Sequence, residues 1–156
     1  MPTNPLSHTM NGKNVYVKIN DIICPELFIN ALTAAYEGKP IYLLTGDKGL
    51  CEWLHKMNAN IPTVAVSEGM GGASLSINPH LAVKRIREAA EKALSIDPKK
   101  LMFPMPDHFR VEIAFRNHTY ATNGSHYPGC VQLDSTRVAF ESNDYMDVLK
   151  FFYWVL

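Results

Sequence analysis

Three short apolar runs, each followed by a helical pattern, most constrain what this chain can fold into. Val15-Tyr16-Val17-Lys18-Ile19 half alternates, as a strand does, and stops at the turn-favouring Asn20-Asp21 pair. Ile41-Tyr42-Leu43-Leu44 is continuously apolar, the pattern of a strand covered on both faces. Thr63-Val64-Ala65-Val66 is the third run. Between them, Pro25 suits a first helical position, where its missing N–H costs nothing, and Leu27, Ala31, Ala34 and Ala35 keep a narrow apolar stripe up to Gly38. Asp47 caps a second helix through Leu50, Cys51, Trp53 and Leu54. Pro79 opens a third, with Leu81, Ile86, Ala89, Ala90 and Leu94 on one face against Lys84, Arg87, Glu88, Glu91 and Lys92.

The pattern then changes. Asp97-Pro98 breaks the third helix, and a proline-rich connector runs to Pro106. Phe109, Val111, Ile113 and Phe115 alternate with Arg110, Glu112 and Ala114, which predicts a half-exposed strand. A short helix within 118–126 and strands at Val131-Gln132-Leu133 and 137–141 follow. From about Asn143, apolar residues cover most of a helical circumference, so the last helix is expected to be buried on more than one side. The expected class is α/β: a three-layer body with a mixed sheet, then a smaller α+β C-terminal part. Residues 1–156 are expected to form a single domain, with a sub-boundary near 98–107.

Fifteen basic and fifteen acidic residues cancel and are mixed along the chain. Nucleic-acid binding needs a concentrated excess of Lys and Arg, so that class is excluded. The Lys84-Arg85-Ile86-Arg87 cluster, flanked by Glu88 and Glu91, reads as a solvated helix face. Cys24, Cys51 and Cys130 form no C-x-x-C pair, which points to reduced thiols in a cytoplasmic protein. Residues 1–5 have no basic or apolar signal region. The apolar stretch 151–156 is far shorter than the roughly 20 residues a membrane span needs. No membrane partner is expected.

Two residues stand out chemically. His8, in Ser7-His8-Thr9-Met10, is a base or nucleophile candidate, because imidazole exchanges a proton near neutral pH. Glu26 falls in the first turn of a predicted helix, where a carboxylate complements the partial positive charge of the N-terminus. Glu68-Gly69-Met70-Gly71-Gly72-Ala73-Ser74 reads as a mobile connecting loop. It lacks the residue order of a phosphate-binding P-loop or a complete dinucleotide fingerprint. His55, His80, His108, His118 and His126 show no metal-binding spacing.

The run of motifs resembles the zinc-dependent D-aminopeptidases of the DppA type. It includes Ser7-His8-Thr9-Met10, then Cys24-Pro25-Glu26-Leu27-Phe28-Ile29-Asn30-Ala31, then Pro40-Ile41-Tyr42-Leu43-Leu44-Thr45-Gly46-Asp47 and the Pro79 helix. It continues through the Phe109–Phe115 strand to Phe140-Glu141-Ser142-Asn143-Asp144-Tyr145. The resemblance implies that His8 is the catalytic histidine, that Glu26 is a metal ligand and that Asn30 lies at the substrate. Pro25 stands where the family has glycine. Asp47 would lie at the active-site edge, and the Gly69–Gly72 loop would border the substrate cleft.

Such enzymes look like cytoplasmic homo-oligomers, ring-stacked decamers, that use two zinc ions to release N-terminal D-residues from small peptides. The resemblance covers the C-terminal portion of such an enzyme. It places the family's Asp-x-Glu and two histidine ligands ahead of Met1, which is expected to be an internal start. The chain alone is therefore expected to hold zinc weakly and to have negligible peptidase activity. The reading from another class is a non-catalytic assembly or peptide-binding module. Phosphate or nucleotide binding through Gly69–Gly72 ranks third.

Overall fold

The computed structural model describes residues 3–156. Met1 and Pro2, and with them the reading of Met1 as an internal start, lie outside the described residues. Along the chain run β1 (Asn14–Ile19), β2 (Ile22–Ile23), α1 (Glu26–Tyr36), β3 (Leu44–Asp47), α2 (Lys48–Met57), β4 (Thr63–Met70) and β5 (Ala73–Ser76). Then follow α3 (Pro79–Ala93), β6 (Phe109–Phe115), α4 (His118–Gly124), β7 (Val131–Gln132), β8 (Arg137–Ser142) and α5 (Tyr145–Val155). The class is α/β. Two compact units share these elements: residues 3–7 with 37–104, and residues 8–36 with 105–156.

The first unit carries the mixed sheet, in the order β3-β4-β5. β3 and β4 are parallel and α2 crosses between them, the connection a parallel pair requires. The expected strand at 41–44, covered on both faces, is corrected. β3 begins at Leu44, its register partner in β4 is Thr63, and Tyr42 is exposed. Apolar content alone signals burial, but among the described strands β3 pairs only with β4 and so forms an edge.

The expected loop over 69–72 is also corrected. β4 continues to Met70, which pairs with Ala73 across a tight Gly71-Gly72 turn. Gly71 has φ +59°, the left-handed value that a glycine-first hairpin turn demands. α3 starts at Pro79, as expected, with Asn78 found as its cap, yet Ala93 is its one fully buried residue, and Leu81 and the following Leu94 are exposed. Cys51, Leu54, Ile61, Val64, Ala93, Leu101 and Phe103 form this unit's core. The proline-rich connector belongs to it as far as Pro104. Asp97 caps a single 3₁₀ turn, Pro98–Leu101, and the Asn58 amide donates to the Lys100 and Met102 carbonyls.

The second unit is the α+β part. Its sheet has the order β2-β1-β6-β8-β7 and is antiparallel throughout. Asn20 and Asp21 both take positive φ (50° and 64°) in the two-residue turn joining β1 to β2, a conformation Asn and Asp tolerate better than other side chains. β6 is not half-exposed as its alternation predicts: every residue but Arg110 is buried. It lies between β1 and β8, and the polar side of its alternation is roofed over at Glu112 by Tyr16 and Arg137.

α5 differs from expectation in the opposite sense. Tyr145, Val148, Phe151 and Phe152 are buried, whereas Tyr153 and Trp154 are 80% and 73% exposed. Four successive aromatics at 100° spacing cannot all face one sheet. The buried ones pack well: Phe151 stacks on Phe140 of β8 with centroids 4.7 Å apart, and Tyr127 meets both rings edge-on.

Candidate active site

His8 and Glu26 meet within the second unit. The histidine lies on the loop before β1, and Glu26 is the first residue of α1. His8 Nε2 and Glu26 Oε2 are 4.0 Å apart, with side chains 58% and 45% exposed. Pro25 precedes the helix and its carbonyl accepts from the Phe28 N–H at 2.8 Å, so the first turn closes directly behind Glu26. Asn30 follows four residues later, exposed and on the same helical face as Glu26.

The segment before Glu26 is well anchored. The Thr9 hydroxyl donates to the Cys24 carbonyl at 2.7 Å, and the Cys24 N–H donates to the Val17 carbonyl of β1 at 2.8 Å. Cys24 is itself buried, and that burial pushes its thiol far above the usual range, only partly offset by a bond from the Ile29 backbone.

An exposed imidazole beside a carboxylate can take up a cation or pass a proton to a bound molecule. Two tetrahedral zinc ligands lie about 3.3 Å apart, so a small rotation of either side chain would suit one ion. The donor set is nevertheless short. A catalytic zinc takes about three protein ligands, and the described residues contain no group of three His, Cys, Asp or Glu able to hold a metal. The pair fits part of a zinc site and does not complete one.

In the first unit, Asp47 does more than cap α2. Its carboxylate accepts from the Leu50 N–H at 3.1 Å, the Thr3 hydroxyl at 2.6 Å and the Asn4 amide at 3.1 Å. Burial pushes this carboxyl up, but the Thr3, Leu50 and Asn4 bonds outweigh it and hold the group below the ordinary range. The tethered segment passes so close to Gly69 that a Cβ there would overlap the Thr3 carbonyl. A groove of about 740 Å³ lies alongside, lined in part by Ser7, Lys48, Glu52, Glu68 and Gly71. Lys48 and Glu68 form an ion pair across it at 2.9 Å.

One side chain that shapes the His8–Glu26 site goes unmarked in the sequence: Asn14, whose amide donates to the Thr9 carbonyl at 2.8 Å. Asn14 and Glu112 are the buried polar residues among the described ones. The signal they offer is a polar residue at the head of an apolar strand run for Asn14 and within an alternating strand for Glu112. Among the described residues the other histidines join no metal-binding group; His108, for example, pairs with Glu141 at 3.4 Å and Asn143 at 2.6 Å.

An α/β chain with an imidazole and a carboxylate brought together at a helix N-terminus is of a kind suited to hydrolytic or metal-assisted chemistry. Comparison gives the family. The family model described as D-aminopeptidase matches residues 1–154, and the chain belongs to that family. It is similar to the D-aminopeptidase of Bacillus subtilis (strain 168), with 26% identity over 147 residues, covering 93% of this chain and 54% of that protein. Among solved structures it is similar to the Zn-dependent D-aminopeptidase DppA from Bacillus subtilis, described as a self-compartmentalizing protease. The TM-score is 0.80 at 25% identity, covering 96% of this chain and 57% of the other. The chain spans about half the length of these relatives.

Proposed function

We propose that this chain, as the C-terminal portion of a D-aminopeptidase, carries part of a metallo-aminopeptidase site that releases N-terminal D-residues from small peptides. The observation that carries the reading is the 4.0 Å approach of His8 to Glu26 at the start of α1. In this reading Glu26 is a metal ligand, His8 moves a proton to or from the reacting peptide, and Asn30 contacts the substrate one turn along the same face. Zinc, two ions in the complete site, supplies Lewis-acid polarisation of the scissile carbonyl. Further ligands must join the pair, which agrees with a chain spanning 54% of its relative. Unbridged Cys24, Cys51 and Cys130 accord with a cytoplasmic setting.

The test is a zinc titration of the purified chain followed by NMR. The His8 ring and Glu26 side-chain resonances should shift together along one weak saturation curve, and Glu26→Gln should abolish the response. Zinc held elsewhere on the chain, with neither residue perturbed, would sink the proposal. Dialysed chain should retain far less than one zinc per molecule and should leave D-alanyl peptides intact.

Assembly is a second part of the proposal. The relative's description as self-compartmentalizing supports a homo-oligomer, which we take to be a decamer. In the first unit Met70, Leu75, Val83 and Leu94 are 59–77% exposed, apolar side chains that a second copy would cover. Light scattering should find a mass well above 17.5 kDa. A monomer at all concentrations would refute assembly by this chain and leave the non-catalytic assembly module without support.

A further inference from the structure

We infer that Thr9 and Asn14 are positioning residues that set the approach of His8 to Glu26, an inference that rests on the reading of that pair as the chemical site. Neither side of the pair is placed by its own secondary structure alone. His8 lies on a loop, and Glu26 begins a helix whose first turn is closed from Pro25, so its place depends on what holds the segment before it. What joins them is a closed circuit of hydrogen bonds returning to one strand.

The circuit begins at Asn14, the first residue of β1 and only 5% exposed. Its side-chain amide donates to the Thr9 carbonyl at 2.8 Å. The Thr9 hydroxyl donates in turn to the Cys24 carbonyl at 2.7 Å, two residues before Glu26. The Cys24 N–H closes the ring on the Val17 carbonyl, three residues along β1 from Asn14. The residue after His8 and the residue two before Glu26 are thus tied to each other and to the same buried strand. Loop freedom on the histidine side is reduced further because the Asn11 N–H donates to the Thr9 carbonyl at 2.8 Å and the Asn11 amide donates to the Leu156 carbonyl at 2.6 Å.

Chemistry explains the residue types. The short β-hydroxyl of Thr9 reaches the Cys24 carbonyl while its own carbonyl turns back to the strand. The Asn14 amide is a neutral donor, so its burial carries no charge-desolvation penalty. Anchors of this kind narrow the positions the two side chains can take, which a proton-transfer residue needs.

The experiment measures the nuclear Overhauser effect between the His8 ring protons and the Glu26 γ-methylene in the full 156-residue chain. Thr9→Val keeps the shape and removes the donor; it should lose the effect. Thr9→Ser keeps the donor and should restore it, a rescue that bulk packing by the Thr9 methyl would not produce. An unchanged effect in folded Thr9→Val overturns the inference. Should Thr9→Val not fold, the wild-type chain carries the test through the Thr9 hydroxyl proton. A slowly exchanging resonance coupled to the Cys24 carbonyl supports the circuit, and one averaged with water overturns it. The zinc titration reads separately: zinc can fail to perturb His8 and Glu26 while the Overhauser pattern stands, so failure of the functional reading and failure of the positioning inference are distinguishable.

Discussion

The Tyr145 hydroxyl donates a 2.7 Å hydrogen bond to the Ile29 carbonyl, joining α5 to the middle of the helix that starts with Glu26. Tyr145 is 1% exposed, with its ring 5.2 Å from that of Phe109 and 6.2 Å from that of Tyr36. The Ile29 carbonyl also accepts from the Thr33 hydroxyl at 2.8 Å, so it keeps a partner if Tyr145 loses its own. Tyr145→Phe should therefore cost only about 1 kcal/mol, the net worth of one hydrogen bond rather than of an orphaned carbonyl. Urea unfolding checks this.

Burial also pushes the Tyr145 phenol up to about 12, with the Thr33 hydrogen bond a smaller opposing influence. A group whose folded value is raised contributes stability that is complete below its unfolded value, near 10. That stability is lost as pH rises towards the folded value. Unfolding free energy should fall between about pH 10 and pH 12, and more gently in Tyr145→Phe. A pH series of denaturant midpoints reads the difference.

Glu112 should govern part of the acid response. The Tyr16 hydroxyl, 2.6 Å away, holds its carboxyl below the ordinary range; burial opposes this and Arg137 at 3.3 Å assists. A depressed carboxylate stabilises the fold above its unfolded value and loses that contribution as pH falls through the folded one. Glu112→Gln should lower stability at pH 7 by about 1–2 kcal/mol and flatten the loss below about pH 4.5. Acid unfolding followed by circular dichroism gives both readings.

Asp47→Ala should cost about 1 kcal/mol through the lost α2 cap, and it also removes the acceptor shared by Thr3 and Asn4. The two effects separate by method. Thermal unfolding reports the cap, and amide exchange at residues 3–7 should quicken well beyond what the stability loss explains. Unchanged exchange there would mean the carboxylate does not hold that segment.

Element types were legible where one local rule dominated. The Asn78-Pro79 helix start, the Asp47 cap and the Asn20-Asp21 turn each depend on residues adjacent in sequence, and each is found where local chemistry puts it. Burial was not legible in the same way. Tyr42 and Leu94 look like core and are exposed, while Glu112 looks exposed and is buried. Whether an apolar or polar side chain is covered depends on which strands flank it, and those come from distant parts of the chain.

The candidate site divides along the same line. Sequence alone determined that His8 has the chemistry of a proton carrier and that Glu26 falls at a helix start, because residue type and helix periodicity are local properties. Only the tertiary structure decided that the two meet. Their approach depends on β1 pairing with β6, on Asn14 being buried there, and on Thr9 reaching across to Cys24. Those bonds form only once the strand is folded into its sheet, since in an open chain water would satisfy each of the same polar groups.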